Sequence, residues 1–347
     1  MCGPHFRLGQ TIRLATCVAL FLSGRTWGQE PAPHDPLRQF GSPRPTSRQP
    51  PPVVTAVAIS SDGAVLATAG DDALVNLWSI DDGRLTFTLR GHSEWVRAVS
   101  FRPDGKLVAS AGDDRTIRIW SVGTGELIRA IGPTESAIYA IQYHPDGQLI
   151  VAAGFDRNVR LYDSQTGNFV RQFTGPCNDI RAVAFSADGK LLAAGGRDGQ
   201  VRVWNTDDAS TVRQWNAQSM RLRTLAFSPN SDRLATAGED RKVHVWDTAT
   251  GQEIVALGGG DSKVMSLCFC GADRLASGGS DNLVHIWDLS TGKETTHFSG
   301  HLGTVAALAC DPAGKLLVSG GFDASVRVWQ LEGPGQAMRP IEEVQSR

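Results

Sequence analysis

Two groups of residues in this sequence carry the side chains that an enzyme could use to activate a nucleophile. Each group has a histidine, a serine and an aspartate at the same spacing: His92, Ser110 and Asp114, and His301, Ser319 and Asp323. A histidine oriented by a carboxylate can take the proton of a serine hydroxyl. Partial copies elsewhere have Ala152 and Ala194 at the serine position. Such copies favour a buried hydrogen-bond network over catalysis, and we predict that the protein is not an enzyme.

Seven aspartates that recur along the chain could be taken for metal ligands. They are Asp72, Asp114, Asp156, Asp198, Asp240, Asp281 and Asp323. Each belongs to a separate predicted turn, where an aspartate carboxylate commonly accepts hydrogen bonds from backbone N–H groups. His297 and His301 have a metal-like spacing only on a helix, and this part of the sequence is predicted to be a strand and a loop. We therefore predict neither a metal site nor a cofactor.

The spacing of those aspartates shows that the chain is built from repeats. Successive members lie 42, 42, 42, 42, 41 and 42 residues apart. Six residues after each aspartate comes an aromatic residue, in the order Trp78, Trp120, Tyr162, Trp204, Trp246, Trp287 and Trp329. This position takes six of the nine tryptophans. A constant period of about 40 residues indicates a repeat architecture rather than two ordinary domains.

Each repeat contains four short segments with the alternation of β-strands. In the second repeat they are Val96–Phe101, Leu107–Ala111, Thr116–Ser121 and Leu127–Ile131. Turn residues such as Pro103-Asp104-Gly105 separate them, which is typical of antiparallel strands. Four strands repeated seven times predict an all-β propeller, because a radial array leaves only short sheet edges.

The repeats resemble the WD40 family. Gly91-His92 and Gly300-His301 match the Gly-His start of its repeat, and Trp246-Asp247 and Trp287-Asp288 match its Trp-Asp end. The resemblance implies a seven-bladed propeller with four antiparallel strands in each blade, acting as a binding platform. It also implies a structural hydrogen-bond network in which Trp120 joins the first Ser-His-Asp group and Trp329 joins the second. We interpret the chain as a secreted bacterial-type member.

The sequence predicts four regions. They are a signal peptide (1–28), a Pro-rich linker (29–52), the propeller (53–341, with repeats at about 53–90, 91–131, 132–174, 175–216, 217–258, 259–299 and 300–341) and a short tail (342–347). The first region has a basic start, a short apolar run and small residues before a cut after Gly28. A secreted or periplasmic protein is therefore expected. The alternative is a protein anchored in the membrane by an uncleaved signal.

Two segments could supply the outer strand of the last blade. Residues 335–341 align with the outer strand of the second repeat, and Leu37-Arg38-Gln39-Phe40-Gly41 resembles the corresponding part of the third. We favour the carboxy-terminal segment. Its Pro340 is tolerable only on an edge strand.

The resemblance also indicates which residues line one face of the ring. The partner-binding candidates are Trp95, Arg97, Tyr139, Phe155, Arg181, Arg197, Arg221, Arg223, Lys263 and Phe322. Exposed tryptophan, tyrosine and arginine often anchor protein interfaces. These residues predict an aromatic patch beside a basic arc. Several of the arginines could instead pair with aspartates of the ring itself.

We expect a non-catalytic scaffold that binds a protein or peptide partner, possibly through an acidic segment of that partner. The formal charge of −2 gives no bulk electrostatic reason for nucleic-acid binding. The alternatives are an enzyme or a small-molecule or sugar binder that uses the central channel, and a scaffold held at the membrane by its signal.

Overall fold

The computed structural model describes residues 36, 38–41, 51–258 and 260–331. These residues form seven antiparallel sheets of four strands, and no helix occurs among them. The predicted all-β, seven-bladed propeller is therefore confirmed. The signal peptide, its cut after Gly28 and the tail lie outside the described residues.

Four strands build each blade, from the centre of the ring outward. The innermost strands are β2 (Val54–Ile59), β6 (Val96–Phe101), β10 (Ile138–Tyr143), β14 (Ile180–Phe185), β18 (Leu222–Phe227), β22 (Val264–Phe269) and β26 (Val305–Cys310). The second strands are β3 (Val65–Gly70), β7 (Leu107–Gly112), β11 (Leu149–Gly154), β15 (Leu191–Gly196), β19 (Arg233–Gly238), β23 (Arg274–Gly279) and β27 (Leu316–Gly321).

The third and outer strands complete the blades. The third strands are β4 (Leu74–Ser79), β8 (Ile117–Ser121), β12 (Asn158–Asp163), β16 (Gln200–Asn205), β20 (Lys242–Asp247), β24 (Val284–Asp288) and β28 (Ser325–Gln330). The outer strands are β5 (Leu85–Arg90), β9 (Leu127–Ile131), β13 (Phe169–Thr174), β17 (Thr211–Asn216), β21 (Glu253–Gly258), β25 (Lys293–Phe298) and, for the seventh blade, β1 (Arg38–Gly41). We number the blades one to seven from β2 onward.

The hydrophobic core lies between neighbouring blades. Innermost strands of adjacent blades contact each other all the way round, and β2 contacts both β6 and β26, which closes the ring. The aromatic residue that recurs at the same position of each repeat contributes to this packing. In blade four, Trp204 is almost fully buried and packs against Phe173 of blade three, with ring centroids 5.5 Å apart. Each blade thus depends on its neighbours for burial of its apolar side chains.

The closing strand of the last blade differs from the one we favoured. Strand β1 pairs antiparallel with β28, so that Arg38 faces Val328 and Gly41 faces Ser325. Because β27 pairs with the other edge of β28, no edge is left for residues 335–341, and the prediction of a carboxy-terminal closing strand was wrong. Residues 335–341 themselves lie outside the described part of the chain. The predicted linker therefore contains a strand of the ring.

Outer strands also hold the neighbouring blade by hydrogen bonds. The Arg129 guanidinium in β9 donates to the carbonyl of Thr166 at 3.0 Å, and Arg213 in β17 donates to the carbonyl of Ala249 at 2.6 Å. Both acceptors lie in the turn between the third and outer strands of the next blade. Gly167 and Gly251 in these turns have positive φ, and a Cβ there would touch the arginine stems. The turns therefore require glycine for both conformation and space.

Candidate functional site

The predicted partner-binding residues come together on one face of the ring. We call it the upper face: it carries the turns between second and third strands and the residues that precede the innermost strands. A backbone hydrogen bond joins the two in most blades, for example from Asp113 N to Trp95 O at 2.9 Å and from Phe322 N to Thr304 O at 3.0 Å. The repeated geometry brings equivalent residues of different blades around the opening of the ring.

Large apolar side chains are exposed on this upper face. Trp95 of blade two is 40% exposed, Phe155 of blade three 43% and Phe322 of blade seven 50%. The ring of Tyr139 meets that of Phe155 edge to face, with centroids 6.0 Å apart. Aromatic residues exposed in this way are typical of interface anchors, because they offer large contact areas with few rotatable bonds.

The arginine of blade two is held by its own neighbours. The Arg97 guanidinium lies 4.2 Å from the centroid of the Trp95 ring. It also donates from Nε to Asp113 Oδ1 at 3.0 Å and from Nη2 to Asp113 Oδ2 at 2.6 Å. This two-pronged contact neutralises the arginine and fixes the tryptophan ring beside it.

Arg181 of blade four has a similar arrangement. Its guanidinium lies 4.5 Å from the Tyr139 ring and 4.7 Å from the Phe155 ring, which belong to blade three. Its Nε is 2.7 Å from Asp179 Oδ1. Arg181 therefore joins two blades and is not a free cation of the upper face.

Blade five pairs its upper-face arginines with one glutamate. Arg223 bonds Glu239 through Nη2 and, at 3.1 Å, through Nε, while Arg221 Nη1 lies 3.9 Å from the same carboxylate. Burial acts to raise the pKa of Glu239, but the hydrogen bond and charge of Arg223 outweigh it, so the pKa is lowered. Four of the six cations of the predicted basic arc thus contact three carboxylates of the ring itself. Arg197 and Lys263 are its exposed members.

Two exposed apolar residues of the upper face were missed by the sequence interpretation. Leu302 follows the Gly-His pair of blade seven and is 88% exposed. Met220 lies in the loop before β18 and is also exposed. Both occupy the loop that leads into an innermost strand, close to the position of Trp95 in blade two. The sequence signal that could have identified both residues is a large apolar side chain in the loop before an innermost strand.

The first Ser-His-Asp group forms a continuous chain of hydrogen bonds in blade two. His92 Nδ1 lies 2.7 Å from Asp114 Oδ2, and His92 Nε2 lies 2.7 Å from Ser110 Oγ. Trp120 donates from Nε1 to the same hydroxyl at 2.8 Å. Burial acts to raise the pKa of Asp114, but the hydrogen bond and charge of His92 and the bonds from Thr116 outweigh it and hold the pKa at about 2.

The second group repeats this chain in blade seven. His301 Nδ1 is 3.0 Å from Asp323 Oδ2, its Nε2 is 2.7 Å from Ser319 Oγ, and Trp329 Nε1 donates to that hydroxyl at 2.8 Å. Burial again acts to raise the pKa of Asp323, yet the His301 hydrogen bond and the backbone N–H of Leu302 lower it far below the usual range. Both serines are fully buried, so neither hydroxyl is open to a substrate.

The aspartates of blades five and six have a different partner. His244 in β20 places Nε2 3.2 Å from Asp240 Oδ2 and Nδ1 2.6 Å from Glu253 Oε1. His285 in β24 makes the same contacts with Asp281 and Glu294, both at 2.9 Å. Each histidine follows its aspartate by four residues and comes from the third strand. The spacing is visible in the sequence. Only the structure shows that these third-strand histidines replace the loop histidine as the partner of the turn aspartate.

Protonation of these third-strand histidines is favoured by their neighbours. Burial lowers the pKa of His244, but the hydrogen bonds and charges of Asp240 and Glu253 outweigh it, so its pKa is raised. The pKa of His285 is raised in the same way by Asp281 and Glu294 against the effect of burial. In blade three an arginine fills the corresponding place, with Arg160 Nη1 2.9 Å from Asp156 Oδ2.

The recurrent aspartates bond the backbone of their own turns. In six of these turns a carboxylate oxygen accepts from the N–H two residues later: Asp72 from Leu74, Asp114 from Thr116, Asp156 from Asn158, Asp240 from Lys242, Asp281 from Leu283 and Asp323 from Ser325. Asp198 stands at the equivalent position in blade four. Within the described residues, no group of three or more His, Cys, Asp and Glu side chains is arranged to hold a metal ion.

No helix of the described residues is long and apolar enough to cross a membrane.

A comparison with known proteins gives one short curated match. The chain is 58% identical over 36 residues to the ribosome biogenesis protein erb1 of Neosartorya fischeri, a match that covers 10% of this chain and 5% of that protein. A protein of ribosome biogenesis is not a secreted or periplasmic one, so this finding overturns the predicted secreted or periplasmic location. The expectation of a secreted bacterial-type member gains no support from it either.

A comparison with protein families matches most of the chain. The WD40 model, described as "WD domain, G-beta repeat", matches seven times, at 45–79, 83–121, 125–163, 167–205, 209–247, 251–288 and 292–330. Each later match runs from the outer strand of one blade through the first three strands of the next, so the last match ends at β28 and contains no outer strand for the last blade. The chain belongs to the WD40 family.

Proposed function

We propose that this protein is a non-catalytic scaffold that binds a protein or peptide partner on the upper face of its ring. The observation that carries the proposal is the exposure of Trp95, Phe155 and Phe322 on that one face. Surface apolar groups that are grouped on one face usually mark an interaction site. Membership of the WD40 family supports the same function, because its propellers generally act as binding platforms.

The upper face is better suited to a partner with apolar or aromatic side chains than to a broadly acidic partner. Arg97, Arg181 and Arg223 already contact carboxylates of the ring, so a partner's acidic segment would have to displace these pairs. Breaking such pairs leaves half-buried charges without their partners, which is costly. An acidic segment would find exposed cations at Arg197 and Lys263. The aromatic side chains therefore supply most of the expected binding free energy.

The buried Ser-His-Asp groups support a non-catalytic role. His92 and His301 have side chains that are almost entirely buried, and the hydroxyls of Ser110 and Ser319 already bond both a histidine and a tryptophan. A serine nucleophile must reach a substrate carbonyl. We infer that both groups hold the second and third strands to the loop before the innermost strand.

The proposal can be tested by capture from an extract of the native host. The intact protein and the triple variant Trp95→Ala, Phe155→Ala and Phe322→Ala would be immobilised and the captured proteins compared by mass spectrometry. The matched control replaces three exposed apolar residues of the outer strands, Ile128, Phe169 and Ile254, by alanine. Thermal unfolding checks that both variants fold.

The expected result is a set of proteins that the intact chain and the outer-strand variant retain and the upper-face variant loses. A partner that survives the upper-face substitutions but is lost with the outer-strand ones would place binding on the circumference and contradict the proposal. Equal capture by all three proteins would also contradict it.

A further inference from the structure

Blade one carries an upper-face carboxylate that lacks the arginine present beside its counterparts. Gly112 pairs with Val96 and is followed by Asp113, and in the same register Gly70 pairs with Val54 and is followed by Asp71. In blade two, Asp113 is bonded by an arginine of the innermost strand, and in blade five Glu239 is bonded in the same way. The corresponding residue of blade one is a threonine.

That threonine is occupied elsewhere. Thr55 donates its hydroxyl to the carbonyl of Val96 at 2.9 Å, which joins blade one to blade two. Asp71 Oδ1 is buried and accepts no hydrogen bond from any residue that the structure describes. A carboxylate oxygen without a donor is unfavourable. Because Asp71 as a whole is only partly buried, a cation of a partner can approach its carboxylate and offset this cost.

A second carboxylate directly follows Asp71 in the chain. Asp72 is half-buried, and its pKa is raised by burial and by repulsion from Asp71, against the hydrogen bond from Leu74 N–H and the weaker effect of Arg90. Glu94, in the loop that leads into blade two, is exposed and negatively charged. A cation placed here would offset the repulsion between the two aspartates.

Exposed apolar side chains lie on both sides of this blade. Strand β2 contacts β26 of blade seven and β6 of blade two, so blade one lies between them. Blade seven presents Phe322 and Leu302, and blade two presents Trp95, whose ring is in contact with the Arg97 guanidinium. The sector therefore has a carboxylate without a cation at its centre and apolar groups at its flanks.

We propose that this sector binds a peptide segment in which a lysine or arginine is flanked by apolar side chains. The partner's cation contacts Asp71 as Arg97 contacts Asp113 and as Arg223 contacts Glu239 within the ring itself. The flanking side chains pack on Trp95 and on Phe322. This inference rests on the proposed function and names the chemistry of the partner for one part of the upper face.

The test uses random twelve-residue peptides displayed on phage and selected on the intact protein. Enriched peptides are then synthesised with a fluorescent label, and their affinities are measured by anisotropy. Each is compared with a version whose cation is replaced by glutamine. The protein variant Asp71→Asn removes the charge at nearly constant shape. Asp81→Asn is its matched control, since Asp81 is an exposed aspartate of the same blade in the turn at the opposite end of β4.

We expect the enriched peptides to contain a lysine or arginine with apolar residues beside it. Affinity should fall about tenfold or more with the glutamine version or with Asp71→Asn, because a charge-assisted bond is lost, and should not change with Asp81→Asn. Enrichment of acidic peptides, no enrichment at all, or equal affinity for Asp71→Asn would overturn the inference. Cation-free peptides that still depend on Trp95 would overturn it but leave the proposed function standing.

Discussion

Replacing His92 by glutamine tests how much the hydrogen-bond network of blade two contributes to stability. Blade five shows what glutamine can do there, because Gln218 occupies the position of the loop histidine and donates to Thr236 Oγ1 at 3.1 Å. In the variant, the bond to Ser110 can therefore be kept. Asp114, however, loses the ring nitrogen that lies 2.7 Å from its carboxylate.

The expected loss of stability can be worked out from the pKa of Asp114. Its pKa of about 2 in the folded protein lies below the ordinary 3.8, because His92 and Thr116 outweigh the effect of burial. A depression of this size corresponds to about 2 kcal/mol of stability. For a ring of this size we expect the thermal midpoint to fall by about 4 °C in the variant at neutral pH.

The dependence on pH separates this charge effect from a loss of packing. Because the folded pKa is lowered, the stabilisation by ionised Asp114 is present above pH 3.8 and is lost as the pH falls towards 2. The difference between the intact protein and His92→Gln should therefore be largest between pH 5 and 7, about 2 kcal/mol, and should shrink by pH 3. Urea unfolding at pH 7, 5 and 3 measures it.

A second substitution should restore part of the loss. Arg118 follows Asp114 by four residues, as His244 follows Asp240 in blade five, so Arg118→His in the His92→Gln background places a histidine where blade five has one. We expect about half of the lost stability to return, while Arg118→His alone does not stabilise the protein. A difference that is equally large at pH 3 and pH 7, or no rescue, would refute the assignment of Asp114's stabilisation to its histidine.

Two further predictions concern the closure of the ring and a strained turn. Deleting residues 38–41 removes strand β1 and leaves β28 with an unpaired edge, so the thermal midpoint of unfolding should fall by several degrees. An unchanged midpoint would instead favour residues 335–341 as the closing strand. Ala209 has φ of 62° in a turn where other blades place glycine, so Ala209→Gly should stabilise the protein by about 1 kcal/mol in urea unfolding. A loss of stability would show that its methyl group packs usefully.

The repeat predicted the architecture because one aromatic position in each repeat has the same packing role in every blade. An aromatic residue six positions after the turn aspartate fills the space between blades, as Trp204 does against Phe173. This packing role occurs once in every blade, so the spacing of the aromatic residues along the sequence gives the length of the repeat. Strand β1 has only four residues, and outer strands contain neither the turn aspartate nor the recurring aromatic residue that made the repeats recognisable. Its pairing with β28 therefore could not be separated from the alternative by sequence alone.

The upper-face residues could be chosen from the sequence, but their partners could not. Arg97 and Asp113 are 16 residues apart, and nothing in the sequence distinguishes a paired arginine from a free one. The sequence therefore predicted a basic arc from residue types alone, whereas the structure shows that four of its six cations contact carboxylates of the ring. Likewise, the sequence does not show that Asp71 Oδ1 accepts no hydrogen bond from a described residue, or that the hydroxyl of Thr55 turns towards Val96 instead.

The different partners of the turn aspartates have a consequence for binding. Asp114 is bonded by a histidine of the loop before the innermost strand, whereas Asp240 is bonded by a histidine of the third strand. The fold therefore needs a donor at this point but not one particular residue. The loop exposes an apolar residue with either donor, Met220 in blade five and Leu302 beside His301 in blade seven. The loop can therefore present a different side chain in each blade to a partner on the upper face, whichever residue bonds the aspartate.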